Sequence, residues 1–184
     1  MLGVPPTLVQ LIASFHADMT AKIRVGDGHT DSILVTNGLR QGCSMAPVLF
    51  NLFFSLVFER WRSEMAELCP GHAISFCFNA GNLYNRPRSR HHLSSSPDLE
   101  FADDAVLTTP SRATAQLTLI TFSLVATAFG LTVNFVKTKF MACGFGLCTD
   151  DYQPLTVMNQ AVEHVSTFIY LGSLLSPDVV LVMR

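Results

Sequence analysis

Charge is scarce in this sequence, and neither sign predominates. Only 14% of the 184 residues are Asp, Glu, Lys or Arg, and 12 basic against 14 acidic side chains give a formal net charge of −2. Free-standing nucleic-acid-binding domains are usually strongly basic. This balance therefore argues against a chain that binds nucleic acid independently through charge alone.

Long uninterrupted hydrophobic runs are also absent, although 49% of the residues are hydrophobic. The longest apolar stretch, residues 48–58, is too short for a membrane span and is interrupted by Asn51 and Ser55. Residues 1–6 carry no basic side chain, so no signal peptide is predicted. An apolar chain without a membrane segment is typical of the core of a larger protein.

The cysteines form no recognisable metal or disulfide motif. Cys69 and His72 have a spacing that zinc sites use, but no second pair lies nearby, which argues against zinc. An odd number of cysteines without a signal peptide predicts reduced thiols and an intracellular protein, in the nucleus or the cytoplasm. The five are Cys43, Cys69, Cys77, Cys143 and Cys148.

What the sequence does contain is a pair of adjacent carboxylates, Asp103 and Asp104, between two short apolar runs. This pattern predicts a strand, a tight turn and a second strand, with the acids at the tip. Burying both carboxylates unpaired would cost several kcal/mol each, so they are either solvated or neutralised by a cation. Mg²⁺ suits them because it prefers oxygen ligands and binds through one or two carboxylates. Taken alone, an Asp-Asp pair is also ordinary turn chemistry, as we interpret Asp150-Asp151.

Three further motifs accompany this pair in a fixed order. The four segments are TNGLRQGCSMAP at 36–47, FADD at 101–104, FGLTVN at 129–134 followed by Lys137-Thr138-Lys139, and FIYLGS at 168–173. This series resembles the reverse transcriptase domain of LINE-type (non-LTR) retrotransposons, over about residues 3–177. The segments are similar to that family's motifs B, C, D and E, motif E being the primer grip.

The resemblance implies an RNA-directed DNA polymerase that acts on an RNA template, a DNA primer and dNTPs, with Mg²⁺ as cofactor. It implies that Asp103 is a direct metal ligand and Asp104 a ligand or close support. Lys137 would stabilise or protonate the leaving pyrophosphate. The remaining site residues would be Gln41 and Gly42, against the nucleotide or template, and Tyr170, Leu171 and Gly172, against the primer end.

Periodicity and turn signals predict an α+β fold, with long helices on one face of a largely antiparallel sheet. In the resembled family this layer is the palm of a right-hand polymerase. The predicted helices begin at Pro5-Pro6, near Pro47 and after Ser111, and end near Ala17, Leu68 and Gly130. The predicted strands cover 21–25, 32–36, 73–78, 99–109, 131–135, 139–143 and 162–169.

One departure from the family leaves the function open. The family's motif A carries another essential aspartate just before the first helix, and neither Asp18 nor Asp27 matches it. We therefore expect a partial reverse transcriptase domain at 1–177 without motif A, fingers or thumb, and a tail at 178–184. The chain is then a polymerase palm that is inactive in isolation. The alternatives are a non-enzymatic retrotransposon remnant and a nucleic-acid-binding module.

Overall fold

The computed structural model describes residues 3–36, 38–40, 42–79, 91–142 and 154–176. These ranges contain three helices and thirteen short strands. The chain divides into two compact units, Met1–Phe50 and Asn51–Arg184. Within the described ranges, no helix is both long and apolar enough to cross a membrane. The predicted tail and the Asp150-Asp151 pair lie outside the described residues.

The first unit begins with helix α1, Pro6–His16, close to its predicted bounds. Proline suits the first helical turn, because an amide there has no partner within the helix. Leu8, Leu11 and Phe15 follow helical spacing, which predicts an apolar stripe on α1. This stripe is not buried, since the three side chains are 44%, 51% and 48% exposed. Among the described residues of this unit, Met19 is the only buried apolar side chain.

Four strands of two residues each follow α1. Strand β1 (Thr20–Ala21) pairs antiparallel with β4 (Ile33–Leu34), and β2 (Arg24–Val25) pairs with β3 (Gly28–His29). The strands are shorter than the sequence predicts, because the Thr30 hydroxyl accepts the Ile23 amide at 3.0 Å between the two ladders. Gly26-Asp27-Gly28 lies between the two predicted strands and is a hairpin turn signal, and the pairing of Val25 with Gly28 confirms the turn at Gly26-Asp27.

Helix α2, Ala46–Leu68, contains Pro47 in its first turn, as predicted. Its apolar residues recur at helical spacing, which predicts one buried face. This face forms the core of the second unit, with Phe54, Val57, Phe58, Trp61 and Met65 buried. The Phe122 ring of helix α3 (Arg112–Ala128) lies 5.1 Å from Phe58 and 6.0 Å from Trp61, centroid to centroid. These ring contacts pack the two long helices together.

Helix α3, Arg112–Ala128, begins and ends as its flanking residues predict. The Ser111 hydroxyl accepts the Thr114 amide at 3.1 Å, which satisfies one of the unpaired amides of the first turn. At the other end Gly130 has φ +77°, and the Leu131 amide donates to the Ala126 carbonyl at 2.8 Å. This is a Schellman motif, which favours glycine at the left-handed position.

The remaining strands of the second unit form small, mostly antiparallel sheets. Three antiparallel pairs are β5 (Ile74–Asn79) with β6 (His91–Ser96), β7 (Asp98–Phe101) with β8 (Asp104–Leu107), and β12 (Phe168–Tyr170) with β13 (Ser173–Leu175). The other three strands form one sheet, in which β11 (Gln160–His164) pairs antiparallel with β10 (Leu155–Val157) and parallel with β9 (Lys139–Phe140). Residues 131–135 were predicted to form a strand, but no strand forms there. The α+β fold class is confirmed, with strands in several small sheets.

A second apolar cluster joins α3 to three of these strands. It contains Ala115 and Leu119 of the helix, Phe140 of β9, Leu155 and Val157 of β10, and Val162 of β11. The Gln116 side chain adds a polar tie to the backbone of Thr156, donating from Nε2 at 2.6 Å and accepting at Oε1 at 2.9 Å. Strands β9 to β11 are therefore fixed to α3.

Candidate active site

The two candidate metal ligands lie on the β7–β8 hairpin. Phe101 pairs with Asp104, so that Ala102 and Asp103 form a two-residue loop. The predicted strand, turn and strand are therefore confirmed. The structure adds that Asp103 is at the tip, whereas Asp104 is the first residue of β8.

The loop of this hairpin contains an unusual backbone angle. Ala102 has φ +54°, while Asp103 is not among the residues of positive φ. A positive φ at the first loop position alone is the pattern of a type II′ turn, which normally places glycine there. An alanine at this position costs about 1–2 kcal/mol of strain. Such strain persists only where the surrounding structure holds it.

The hairpin is anchored at its base and open at its tip. Val106 and Leu107 are 1% and 8% exposed, whereas Asp103 is exposed and Asp104 is half-buried. Within the described ranges, the Asp103 carboxylate has no hydrogen bond or ion pair. A cation from solution can therefore reach it without breaking a hydrogen bond or ion pair to any described residue.

The donor atoms fit part of a divalent-metal site. Carboxylate oxygens are the ligands that Mg²⁺ prefers, and Asp103 and Asp104 supply them at adjacent positions. No group of three or more His, Cys, Asp or Glu residues in the described part of the chain is arranged to hold a metal ion. The hairpin thus contributes one carboxylate-bearing segment.

An ion-pair cluster that the sequence analysis missed connects α2 to this hairpin. Arg62 Nε donates to Asp98 Oδ1 at 2.8 Å, and its Nη2 donates to Asp98 Oδ2 and to Glu100 Oε1, both at 2.5 Å. The guanidinium carbon also lies 5.5 Å from the centroid of the Phe58 ring. The only sequence signal was the spacing of Asp98 and Glu100, which places them on one face of a strand.

Burial and charge perturb the ionisation of this cluster. The hydrogen bond to Asp98 is the main cause that raises the pKa of Arg62, against the opposing effect of burial. The pKa of Glu100 is raised above 4.5, first by burial and then by its hydrogen bond to Asp98, while Arg62 opposes the rise. Two carboxylates thus share one guanidinium.

Lys137 lies on a separate turn organised by Asn134. Its amide donates to the Asn134 carbonyl at 3.1 Å and to Asn134 Oδ1 at 3.2 Å. The nearby Lys139 is engaged: its ammonium pairs with the Glu163 carboxylate and donates to the Val136 carbonyl at 3.0 Å. Lys137 is exposed, and its ammonium has no such partner within the described ranges. Of these two lysines, Lys137 is the one available to a phosphate.

The resemblance also implies a tight hairpin at Tyr170-Leu171-Gly172, and the structure confirms the hairpin. Tyr170 pairs with Ser173, and the loop residues Leu171 and Gly172 have φ +47° and +82°. Positive φ at both loop positions is the pattern of a type I′ turn. Leu171 is 47% exposed, so this hairpin presents an apolar tip to solvent.

The motif B residues belong to the first unit. Gln41 lies outside the described residues, and Gly42, which precedes α2, is exposed with φ +86°. Asp103 and Asp104 are adjacent on one hairpin, Tyr170 to Gly172 form another, and Lys137 lies on its own turn. The roles assigned to all these residues stay predictions.

Residues 2–175 match the family model described as reverse transcriptase (RNA-dependent DNA polymerase). No curated protein and no solved structure matches the chain.

Proposed function

Since the chain belongs to the reverse transcriptase (RNA-dependent DNA polymerase) family, we propose that it is the metal-binding part of an RNA-directed DNA polymerase palm of the LINE-type (non-LTR) kind. The observation that carries this proposal is the β7–β8 hairpin, whose base is buried and whose tip presents Asp103 to solvent. The order of the four motifs supports the LINE-type assignment. The substrates proposed are an RNA template, a DNA primer and dNTPs.

Phosphodiester synthesis requires attack by a primer 3′-oxygen and departure of pyrophosphate. Divalent ions, Mg²⁺ in this proposal, supply charge stabilisation to both oxygens when bound. Asp103 would hold the metal directly, and Asp104 would be a ligand or its close support. The exposed Asp103 carboxylate is suited to this role because no contact within the described ranges competes for it.

The other proposed residues act on the substrates. Lys137 would donate a proton or a hydrogen bond to the leaving pyrophosphate, since its ammonium is exposed and Lys139 is occupied by Glu163. The Leu171-Gly172 turn would press its apolar tip against the primer end. Gln41 and Gly42 would contact the template or the incoming nucleotide.

We propose further that this polypeptide alone does not extend a primer. Two-metal catalysis needs carboxylates from several chain segments, and the candidate hairpin supplies one. A second candidate is a non-enzymatic retrotransposon remnant that keeps the fold, and it is favoured because no group of three or more His, Cys, Asp or Glu residues in the described ranges could hold a metal ion. The test is primer extension by the unmodified chain and by Asp103→Ala. If the unmodified chain extends a primer and Asp103→Ala does not, the proposed inactivity and the non-enzymatic alternative are both wrong.

Mn²⁺ binding followed by electron paramagnetic resonance tests the metal assignment on the chain itself. Asp103→Asn should weaken Mn²⁺ binding at least about tenfold, because it removes a ligand charge and keeps the shape. The matched control is Asp27→Asn, since Asp27 is also exposed at the second loop position of a two-residue hairpin, between Val25 and Gly28. Equal affinities of the parent and Asp103→Asn would refute the assignment.

A further inference from the structure

We propose that Arg62 is a positioning residue for the carboxylate hairpin. This role rests on the proposed function: Arg62 holds strand β7 in place, and the strained turn that follows β7 then keeps Asp103 in position. Arg62 itself does not touch the metal or the substrates. The contact runs from helix α2 to the strand that leads directly into the Ala102-Asp103 loop.

The two contacts of Arg62 fix both the position and the direction of the strand. Asp98 and Glu100 are two residues apart in β7, and the guanidinium reaches both carboxylates. A contact at one residue would leave the strand free to rotate about that residue. Contacts at two successive positions on the same face prevent this rotation. Glu100 is separated from the loop residue Ala102 by Phe101 alone.

Breaking this contact costs more than breaking an ordinary surface ion pair, because the Arg62 side chain is 42% exposed but the Asp98 carboxylate would be left buried without its guanidinium partner. The Asp98 side chain is 3% exposed and that of Glu100 is 26% exposed. A planar guanidinium can donate two parallel hydrogen bonds to one carboxylate, and a lysine cannot. By contrast, Arg60 pairs with Glu64 one turn along α2, with side chains that are 62% and 31% exposed. Within the described ranges, the ion pair of Arg60 therefore stays within its own helix.

The hairpin needs such support. In the described part of the chain, β7 and β8 form a sheet of two strands, and an isolated two-stranded hairpin is marginally stable in water. The positive φ of Ala102 adds strain at its tip. The buried Val106 and Leu107 hold β8, and Arg62 holds β7 from the helix.

Amide hydrogen exchange and Mn²⁺ binding, measured on the same folded samples, test this inference. Arg62→Lys keeps the positive charge but loses the two-pronged hydrogen bond. It should speed exchange in the β7–β8 ladder about tenfold, while exchange in the β10–β11 ladder stays unchanged. The Mn²⁺ affinity of Arg62→Lys should also be lower than that of the parent. A residue that acts only on global stability would speed exchange in both ladders and leave the Mn²⁺ affinity of the folded protein unchanged.

The controls keep the outcomes distinct. Arg60→Lys should change neither the exchange rates nor the Mn²⁺ affinity. Glu100→Gln is the second variant to measure if Arg62→Lys fails to fold. It keeps the Arg62–Asp98 contact and should also speed exchange in the β7–β8 ladder. Unchanged β7–β8 exchange in the folded variants would overturn the inference, whatever the metal does. If exchange rises locally while Asp103→Asn binds Mn²⁺ like the parent, the positioning of the hairpin stands and the metal assignment of the proposed function fails.

Discussion

Replacing Ala102 by glycine should stabilise the protein, although glycine usually destabilises. Ala102 occupies the first position of the two-residue loop between Phe101 and Asp104, with φ +54°. The missing Cβ of glycine removes the steric penalty of this angle. The same change also gives the unfolded chain more conformational freedom, which opposes the gain.

The expected magnitude follows from these two effects. A positive φ costs an alanine about 1–2 kcal/mol, and a glycine in place of alanine costs about 0.4–1 kcal/mol through the unfolded state. The net gain should therefore be about 0.5–1 kcal/mol. For a chain of this size, that corresponds to a rise in Tm of about 1–4 °C.

Thermal unfolding followed by circular dichroism measures the shift, and Ala105→Gly is the matched control. Ala105 lies in β8 opposite Glu100, has no positive φ and is half-buried. Glycine there should lower the Tm, because a strand interior loses about 0.5–1 kcal/mol with glycine. A fall in Tm for both variants would refute the conclusion that Ala102 is strained.

Two further predictions concern a helix end and a pH dependence. Ser111→Ala should destabilise the protein by about 1 kcal/mol, because the Thr114 amide loses the hydroxyl oxygen that accepts its hydrogen bond at 3.1 Å. Urea unfolding measures the change, and an unchanged unfolding midpoint would contradict the role of Ser111 as the helix cap. Because the pKa of Glu100 is raised in the folded protein, its contribution to stability is fully present below about pH 4.5 and is lost as the pH rises through the raised pKa. The urea midpoint of the parent relative to Glu100→Gln should therefore fall between pH 4 and pH 7, and a rise would refute the assigned direction.

Features fixed by neighbouring residues were predictable from the sequence. Ser111 and Gly130 delimit α3 because each satisfies backbone groups within one or two turns of itself. The apolar stripe of α2 predicted its buried face, since spacings of three and four residues recur on one side of a helix. The hairpin tip at Asp103 followed from two polar residues between apolar runs.

Other features were not predictable, either because they depend on distant contacts or because a residue departs from its local preference. Arg62 and Asp98 are 36 residues apart, and no local pattern indicates that they meet. The predicted strand at 131–135 does not form, because Asn134 accepts the amides of Lys137 and Thr138 and closes a turn. The positive φ of Ala102 was also not predictable, because glycine is the residue usually found at a loop position with positive φ.

The most direct test of the central claim supplies the carboxylate segment that the hairpin needs. The aspartate-bearing motif A segment of a related reverse transcriptase would be grafted before Met1, and primer extension on an RNA template would be measured with Mg²⁺. Extension should occur with the parental hairpin and with Asp27→Asn, should be slowed by Lys137→Ala, and should be abolished by Asp103→Asn. Equal extension by the graft and its Asp103→Asn variant would contradict the claim that this hairpin holds the catalytic metal.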